Sequence, residues 1–239
     1  MEIFLATGAA VLATLLSIEL WRSWRSRKRL HAEIWSIAFA AFAVATWALV
    51  AGLALGWTST SFRIFYFFGG IANIPLLAAG SIALASERGG RIAYRIVGVW
   101  LVFGFFATFL APLNGALPTG HIPEGSEVFS FTFAIDALTL PGPRVFAAVS
   151  GGVGTIVIIG LSTVTVFRSW TTNRRLAYGN LLIIGGVIAP ALGGSLTAIG
   201  RSSALALSLA VGIVLLWGGY RMASGAKTVV TNVAEPATP

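Results

Sequence analysis

The chain has 239 residues, 56% of them hydrophobic and only 10% charged, with a mean hydropathy of +0.87 and a formal net charge of +8. Soluble domains carry roughly a quarter charged residues, so this composition excludes an ordinary water-soluble fold and points to a membrane protein. Cysteine is absent, which excludes disulfides, thiolate metal sites and covalently attached haem c.

A helix needs about 20 apolar residues to cross roughly 30 Å of hydrocarbon. Stretches of that kind stand at 2–20, 34–56, 62–85, 92–112, 145–167, 177–199 and 203–220. The fold class expected is an all-α polytopic membrane protein with seven transmembrane helices, a single domain over 1–221. The first span is preceded only by Glu2 and followed by the run RSWRSRKRL from Arg22 to Leu30. That polarity is the reverse of a cleaved signal peptide and suits a helix entering the membrane from outside.

Spans two to four are aromatic: Trp35, Phe39, Phe42 and Trp47, then Phe62, Phe65, Tyr66, Phe67 and Phe68, then Trp100, Phe103, Phe105, Phe106 and Phe109. Such a mass either lines a groove for lipid, quinone or pigment, or faces lipid and the packed core. Asn73 with Pro75 falls near the middle of span three. Proline there frees a backbone carbonyl that a neighbour or a cavity must accommodate.

The segment 113–144 is the long connection. It holds Pro118, Pro123, Pro141 and Pro143 and the acids Glu124, Glu127 and Asp136. Within it VFSFTFAID alternates apolar and polar residues, the period of a strand. The thirteen residues Val128 to Leu140 are too few for a spanning helix, and an open strand could not face lipid without orphaned backbone groups. A short strand or hairpin at the outer interface, covering the bundle, is expected.

Small residues four apart mark Ser150 and Gly154 in span five, and Gly185 and Ala189, then Gly194 and Ala198, in span six. That spacing lets helices approach closely and predicts spans five to seven as the tightly packed half. Asn180 lies near the inner end of span six and Pro190 near its middle. After Arg221 the chain gathers small, polar and proline residues, and 222–239 reads as a disordered cytoplasmic tail.

The charges are one-sided. Thirteen of the 16 basic residues fall in alternate connections or after the last span, and only Arg63, Arg144 and Arg201 fall on the other side. By the positive-inside rule the N-terminus is extracytoplasmic and the C-terminus cytoplasmic, in the cell membrane. An orienting basic face of this kind needs no nucleic acid as partner; membrane lipids are the partners it implies.

At an offset of 146 residues RSWRSRKRL is echoed by RSWTTNRRL, Arg168 to Leu176. After a gap the same register pairs Arg63 with Arg201 and Ala85-Ser86 with Ala223-Ser224. Two readings remain: a parallel repeat, 1–86 and 145–224, joined by span four, or two membrane-surface loops obeying the same charge rule. A 3+1+3 plan resembles the architecture of the SWEET sugar transporters, and the microbial rhodopsins are similar in having seven spans of this orientation. The proline–glutamine signature of the former has no counterpart here, since the chain has no Gln and no Pro in spans one and five. The Schiff-base lysine of the latter is missing from 203–220, which excludes retinal.

Ionisable groups deep in a membrane are functional suspects, and here they are few. Glu19 and Glu33 flank the basic run, where local ion pairing is expected. His31 and His121 fall on opposite sides and cannot share a metal or haem. There is no HExxH, paired-carboxylate or nucleophile–base cluster, so neither enzymatic activity nor a cofactor is expected. The candidate ligand-binding residues are Asn73, Pro75, Asn180 and Pro190 within the membrane, and Arg63, Arg201 and Asp136 at the outer mouth. They suit a transporter or binding bundle for a small solute, lipid or hydrophobic ligand, without ion-pump chemistry, its cavity set among spans two, three, six and seven. The alternatives are a non-catalytic subunit or scaffold docked to a protein partner in a larger membrane complex, and a ligand sensor with a separate output partner.

Overall fold

The computed structural model describes residues 1–118, 121–197 and 203–232. Among them seven helices are long and apolar enough to cross a bilayer, the architecture of a multi-pass membrane protein. They are α1 (Glu2–Arg27), α2 (Leu30–Leu55), α3 (Ser59–Ala85), α4 (Glu87–Leu110), α5 (Pro143–Ser169), α6 (Arg174–Thr197) and α7 (Ser203–Asn232). Most exceed their apolar stretch because hydropathy marks only the part that tolerates lipid, whereas the backbone ladder runs on through the interfacial charges. The last helix likewise continues past Arg221, where a tail was expected, as far as Asn232. The stretch from Met222 to Asn232 holds one glycine, Gly225, and no proline before Pro236. Residues 233–239 lie outside the described part.

Four connections have at most four residues, and three of them show a local cause. Lys28 turns the chain between α1 and α2 in the left-handed conformation (φ 52°), its N–H on the Trp24 carbonyl. Ser86 alone separates α3 from α4, its hydroxyl accepting from the Gly89 N–H at 3.2 Å. Between α5 and α6 the Asn173 side chain accepts from Leu176 N–H at 3.1 Å.

Six of the helices close a ring in the order α1, α2, α3, α5, α6, α7 and back to α1. α4 stands outside it, packed chiefly on α3: only 17% of its apolar stretch is buried inside the protein, against 61% for α3. Its free face carries Ile92, Ile96, Val99, Phe103 and Phe106, a surface suited to acyl chains.

The α6/α7 seam is made of glycines seven apart. Gly179 and Gly186 of α6 meet Gly219 and Gly212 of α7 at backbone distance, and Gly193 meets the Ser208 side chain and the Ala204 carbonyl. The small pairs singled out from the sequence lie elsewhere. Ser150 receives a hydrogen bond from Trp100 Nε1 at 2.9 Å, Gly154 lies on Ile74 of α3, and among the described residues nothing stands within 4 Å of where a Cβ on Gly194 would lie. Close packing is not confined to the second half either, because α1 lays Ala6, Ala9, Ala10 and Ala13, all fully buried, into the bundle beside α2.

The connection after α4 contains one helical turn, Gly125–Val128, and two antiparallel strands, β1 (Thr132–Ile135) and β2 (Leu138–Pro141), with Phe133 opposite Leu140. Phe129 is completely buried under this segment against Phe62 and Tyr66, with ring centroids 5.7 and 5.1 Å away. The end of the bundle carrying it is here the loop end, and the opposite one the basic end.

Candidate functional site

Pro75 has no N–H, so the carbonyls one turn before it lose their helical donor. The helix answers by widening. Residues Tyr66–Ala72 form a π-helical turn, and Asn73 N–H reaches the Phe68 carbonyl five residues back. The paired Gly69-Gly70 stands in this turn, and π segments recur where a helix re-aims a functional side chain. The side chain that follows directly is Asn73.

Asn73 lines a cavity of about 440 Å³ enclosed by α2, α3, α5, α6 and α7. That volume falls within the roughly 300–1,000 Å³ of small-molecule sites. Its wall is mainly apolar and glycine-rich, with Phe42, Ala45, Gly70, Ile74, Gly151, Gly186 and Leu209. Asn73 is 5% exposed, and its Oδ1 is buried with no hydrogen-bond partner among the described residues. An unmatched amide oxygen in an apolar wall costs about 1–3 kcal/mol, so it marks a place where something else supplies the donor. Thr46, also in the wall, gives its hydroxyl proton to the carbonyls of Phe42 (2.8 Å) and Ala43 (3.1 Å).

The mouth is at the loop end. Ile122, Pro123, Glu124, Gly125 and Ser126 form part of its rim together with Tyr66. The helical turn there is held by a capping box: Glu124 N–H donates to Glu127 Oε2 at 2.9 Å, and the Glu124 side chain accepts from the Glu127 backbone. His121 Nε2 lies 3.1 Å from Glu127 Oε1. The Glu127 carboxyl is held below its usual range chiefly by the Glu124 N–H; burial opposes this, and His121 adds to the lowering.

The floor consists of Leu77, Val187 and Leu216, and beneath it lies a second space of only about 20 Å³ bounded by the same three residues with Trp35, Phe39, Ser81 and Tyr220. Trp35 closes the basic end. Its Nε1 donates to the Leu77 carbonyl at 3.1 Å, and its ring meets Tyr220 edge-on at 5.9 Å.

The structure brings together only two of the candidate residues. Asn73 and Pro190 face one cavity. The carbonyl that Pro190 frees, that of Gly186, points to α7, where a Cβ on Gly212 would stand 3.0 Å from it, so α6/α7 packing absorbs that break. Pro75 faces the opposite side of α3, in an apolar groove of about 290 Å³ between α3, α4 and α5. Asn180 bonds its own helix, Nδ2 to the Leu176 carbonyl at 2.9 Å. Arg63 is spent on structure: its guanidinium donates to the carbonyls of Thr108 and Ala111 (2.8 Å to the latter) at the end of α4, and it lies over Phe129. Asp136 forms the exposed hairpin turn in the left-handed conformation (φ 52°). Arg201 lies outside the described residues. Glu19 pairs with Arg221 of α7 at 3.3 Å and not within the basic run. Sequence reading missed Thr46 and the rim 122–126 and named Tyr66 only within the aromatic mass; the Gly69-Gly70 pair before Asn73 was the available signal. The chain matches no protein-family model, no curated protein and no solved structure.

Proposed function

We propose that the protein is a carrier for a small, largely apolar solute or lipid-like ligand, which it takes up at the loop end and passes along the axis of the helix ring. The observation that carries this reading is the stacking of two spaces on that axis. The wide outer cavity reaches Asn73, and three aliphatic side chains, Leu77, Val187 and Leu216, are shared between it and the small inner space. A thin aliphatic floor, with Trp35 behind it, can part by rotamer changes and helix shifts; a continuous core could not. The arrangement is that of a bundle open on one side and shut on the other.

The ring order supports a parallel duplication as the source of this geometry. If α1, α2 and α3 correspond to α5, α6 and α7, the junctions α3 to α5 and α7 to α1 become equivalent, and α4 is left as the external link. Placement of the loop end outside the cell, with both termini as the positive-inside rule sets them, belongs to the same proposal. Ion-pump and catalytic chemistry are not part of it. Among the described residues of the wall the one carboxylate is Glu124, at the rim, and its role there is to cap a helical turn.

The natural chain lacks cysteine, so single thiols report cleanly. Thr155→Cys places one in the outer cavity and Ser81→Cys one in the inner space. With a membrane-impermeant thiol reagent applied to vesicles, a carrier exposes Thr155→Cys from the loop side and Ser81→Cys, more slowly, from both sides. Labelling of Ser81→Cys from neither side or from the basic side alone means a binding bundle without passage. A Thr155→Cys that is silent from the loop side removes the cavity from consideration.

A further inference from the structure

The polar groups deep in the outer cavity are not balanced. Asn73 Oδ1 is a buried acceptor with no donor among the described residues, and Thr155 adds a hydroxyl to the same wall. Thr46 has spent its only proton on two main-chain carbonyls, which leaves its oxygen to accept. At the rim the Ser126 hydroxyl donates to Glu124 Oε2 at 3.1 Å and is likewise occupied. No Lys, Arg or His stands among the described lining residues, and Glu124 is the single carboxylate. The interior therefore offers a few neutral polar groups, the Asn73 amide and the Thr155 hydroxyl among them, in an apolar wall without a compensating charge.

From this we infer that the ligand is a neutral apolar molecule bearing a hydroxyl, which enters hydroxyl first and donates to Asn73 Oδ1 one helical turn above the Leu77 floor. The inference rests on the carrier reading and names its ligand class. Three kinds of alternative ligand are disfavoured by the same wall. A carboxylate or phosphate would be desolvated with no cation among the described lining residues to receive it, a cation would be desolvated with one neutral amide to receive it, and an ether or hydrocarbon would leave the amide oxygen as it stands. The discrimination is steep because the group it satisfies is otherwise unpaired: a site built to receive a donor rejects the analogue that lacks one.

The probe pair is decan-1-ol and its methyl ether, which differ in donor capacity and in mass. The full chain in lipid nanodiscs is given both at equal concentration, and the retained ligand is read by native mass spectrometry. The alcohol should be enriched by about tenfold, corresponding to about 1.4 kcal/mol. Asn73→Leu should retain both probes at a ratio near one, and Thr46→Val should lower the ratio by a smaller factor. If Asn73→Leu does not insert, the nearly isosteric Thr46→Val carries the comparison. Parity, or preference for the ether, in the wild-type protein overturns the hydroxyl assignment and leaves the carrier reading intact. Retention of neither probe overturns the assignment as well, and thiol labelling of Thr155→Cys then decides separately whether the cavity reading falls with it.

Discussion

Gly125 is packed onto the ring of Tyr66 at the mouth of the cavity, so closely that a Cβ at position 125 would stand 2.7 Å from the Tyr66 hydroxyl oxygen. The contact joins the loop turn to the first residue of the π segment, and through it to the helix that bears Asn73. Gly125→Ala should therefore lift the turn from its seat at a cost of about 1–3 kcal/mol, the usual range for overpacking. Amide exchange across residues 121–130 checks this. Exchange should quicken in Gly125→Ala and return towards wild type when Tyr66→Ala is added, because the second change removes the atoms the first collides with. Unchanged protection in the single variant would show that the turn does not rest on Tyr66.

Asn73→Leu should stabilise the empty protein. The substitution replaces a buried amide whose oxygen has no partner by an apolar side chain of similar size, and relieves about 1–3 kcal/mol of uncompensated desolvation. The thermal midpoint in detergent should rise for the variant while uptake falls, the usual sign of a side chain kept for function at the expense of stability. A lower midpoint would mean that Asn73 is bonded in the membrane and serves the fold.

The seven membrane helices were legible because each one's solvent is lipid, and a run of apolar residues states that directly. Asn73 was legible for the same reason: a lone amide stands out in hydrocarbon. Its neighbour in the wall, Thr46, was not, because threonine inside a membrane helix commonly bonds its own backbone, and only the folded cavity shows the residue in its lining. The α6/α7 seam was misread for a geometric reason. The pattern sought was two small residues four apart, whereas Gly179, Gly186 and Gly193 recur every seven, the period of helices running side by side at a shallow angle. Arg63 looked available to a ligand because sequence cannot show that the open carbonyls ending α4 fold back beside it.

That seam gives a contrast between neighbours. A Cβ on Gly186 would come 2.9 Å from Leu216 N and 3.0 Å from the Gly212 carbonyl, main-chain atoms that cannot step aside. At Gly185 the nearest atom is the movable Leu215 Cδ1 at 3.4 Å. Gly186→Ala should lower stability by about 1–3 kcal/mol, whereas Gly185→Ala should be neutral or gain the roughly 0.5–1 kcal/mol that alanine brings to a helix. Unfolding in mixed micelles measures both. Equal effects would mean that α6 presents a different face to α7.

The rim has an acid limit of a definite sign. Glu127 titrates below its usual 4.5 in the folded protein, so the capping box contributes fully above that value and is lost as pH falls through the lowered one. Exchange at the Glu124 and Asn114 amides, corrected for the intrinsic pH dependence, should stay protected down to about pH 4.5 and weaken below it; the Asn114 N–H bonds the Val128 carbonyl at the end of the same turn. Glu127→Gln should remove the acid step. An acid step retained in that variant would assign the transition to another group.

At the basic end, closure depends on Trp35 lying flat against α3, and Gly80 is what permits it. A Cβ at position 80 would fall within the indole, whose Nε1 would then be driven from the Leu77 carbonyl. Gly80→Ala should displace the ring and open the inner space, and Trp35→Phe should loosen it less, losing one hydrogen bond worth about 1 kcal/mol while keeping most of the plug. The readout is the rate at which a Ser81→Cys thiol reacts from the basic side: fastest with Gly80→Ala, intermediate with Trp35→Phe, slowest with neither. Labelling from the loop side at Thr155→Cys should not change, since the wide cavity lies above the aliphatic floor. If all three rates on the basic side are the same, Trp35 does not shut that end and the seal must be the three floor residues alone.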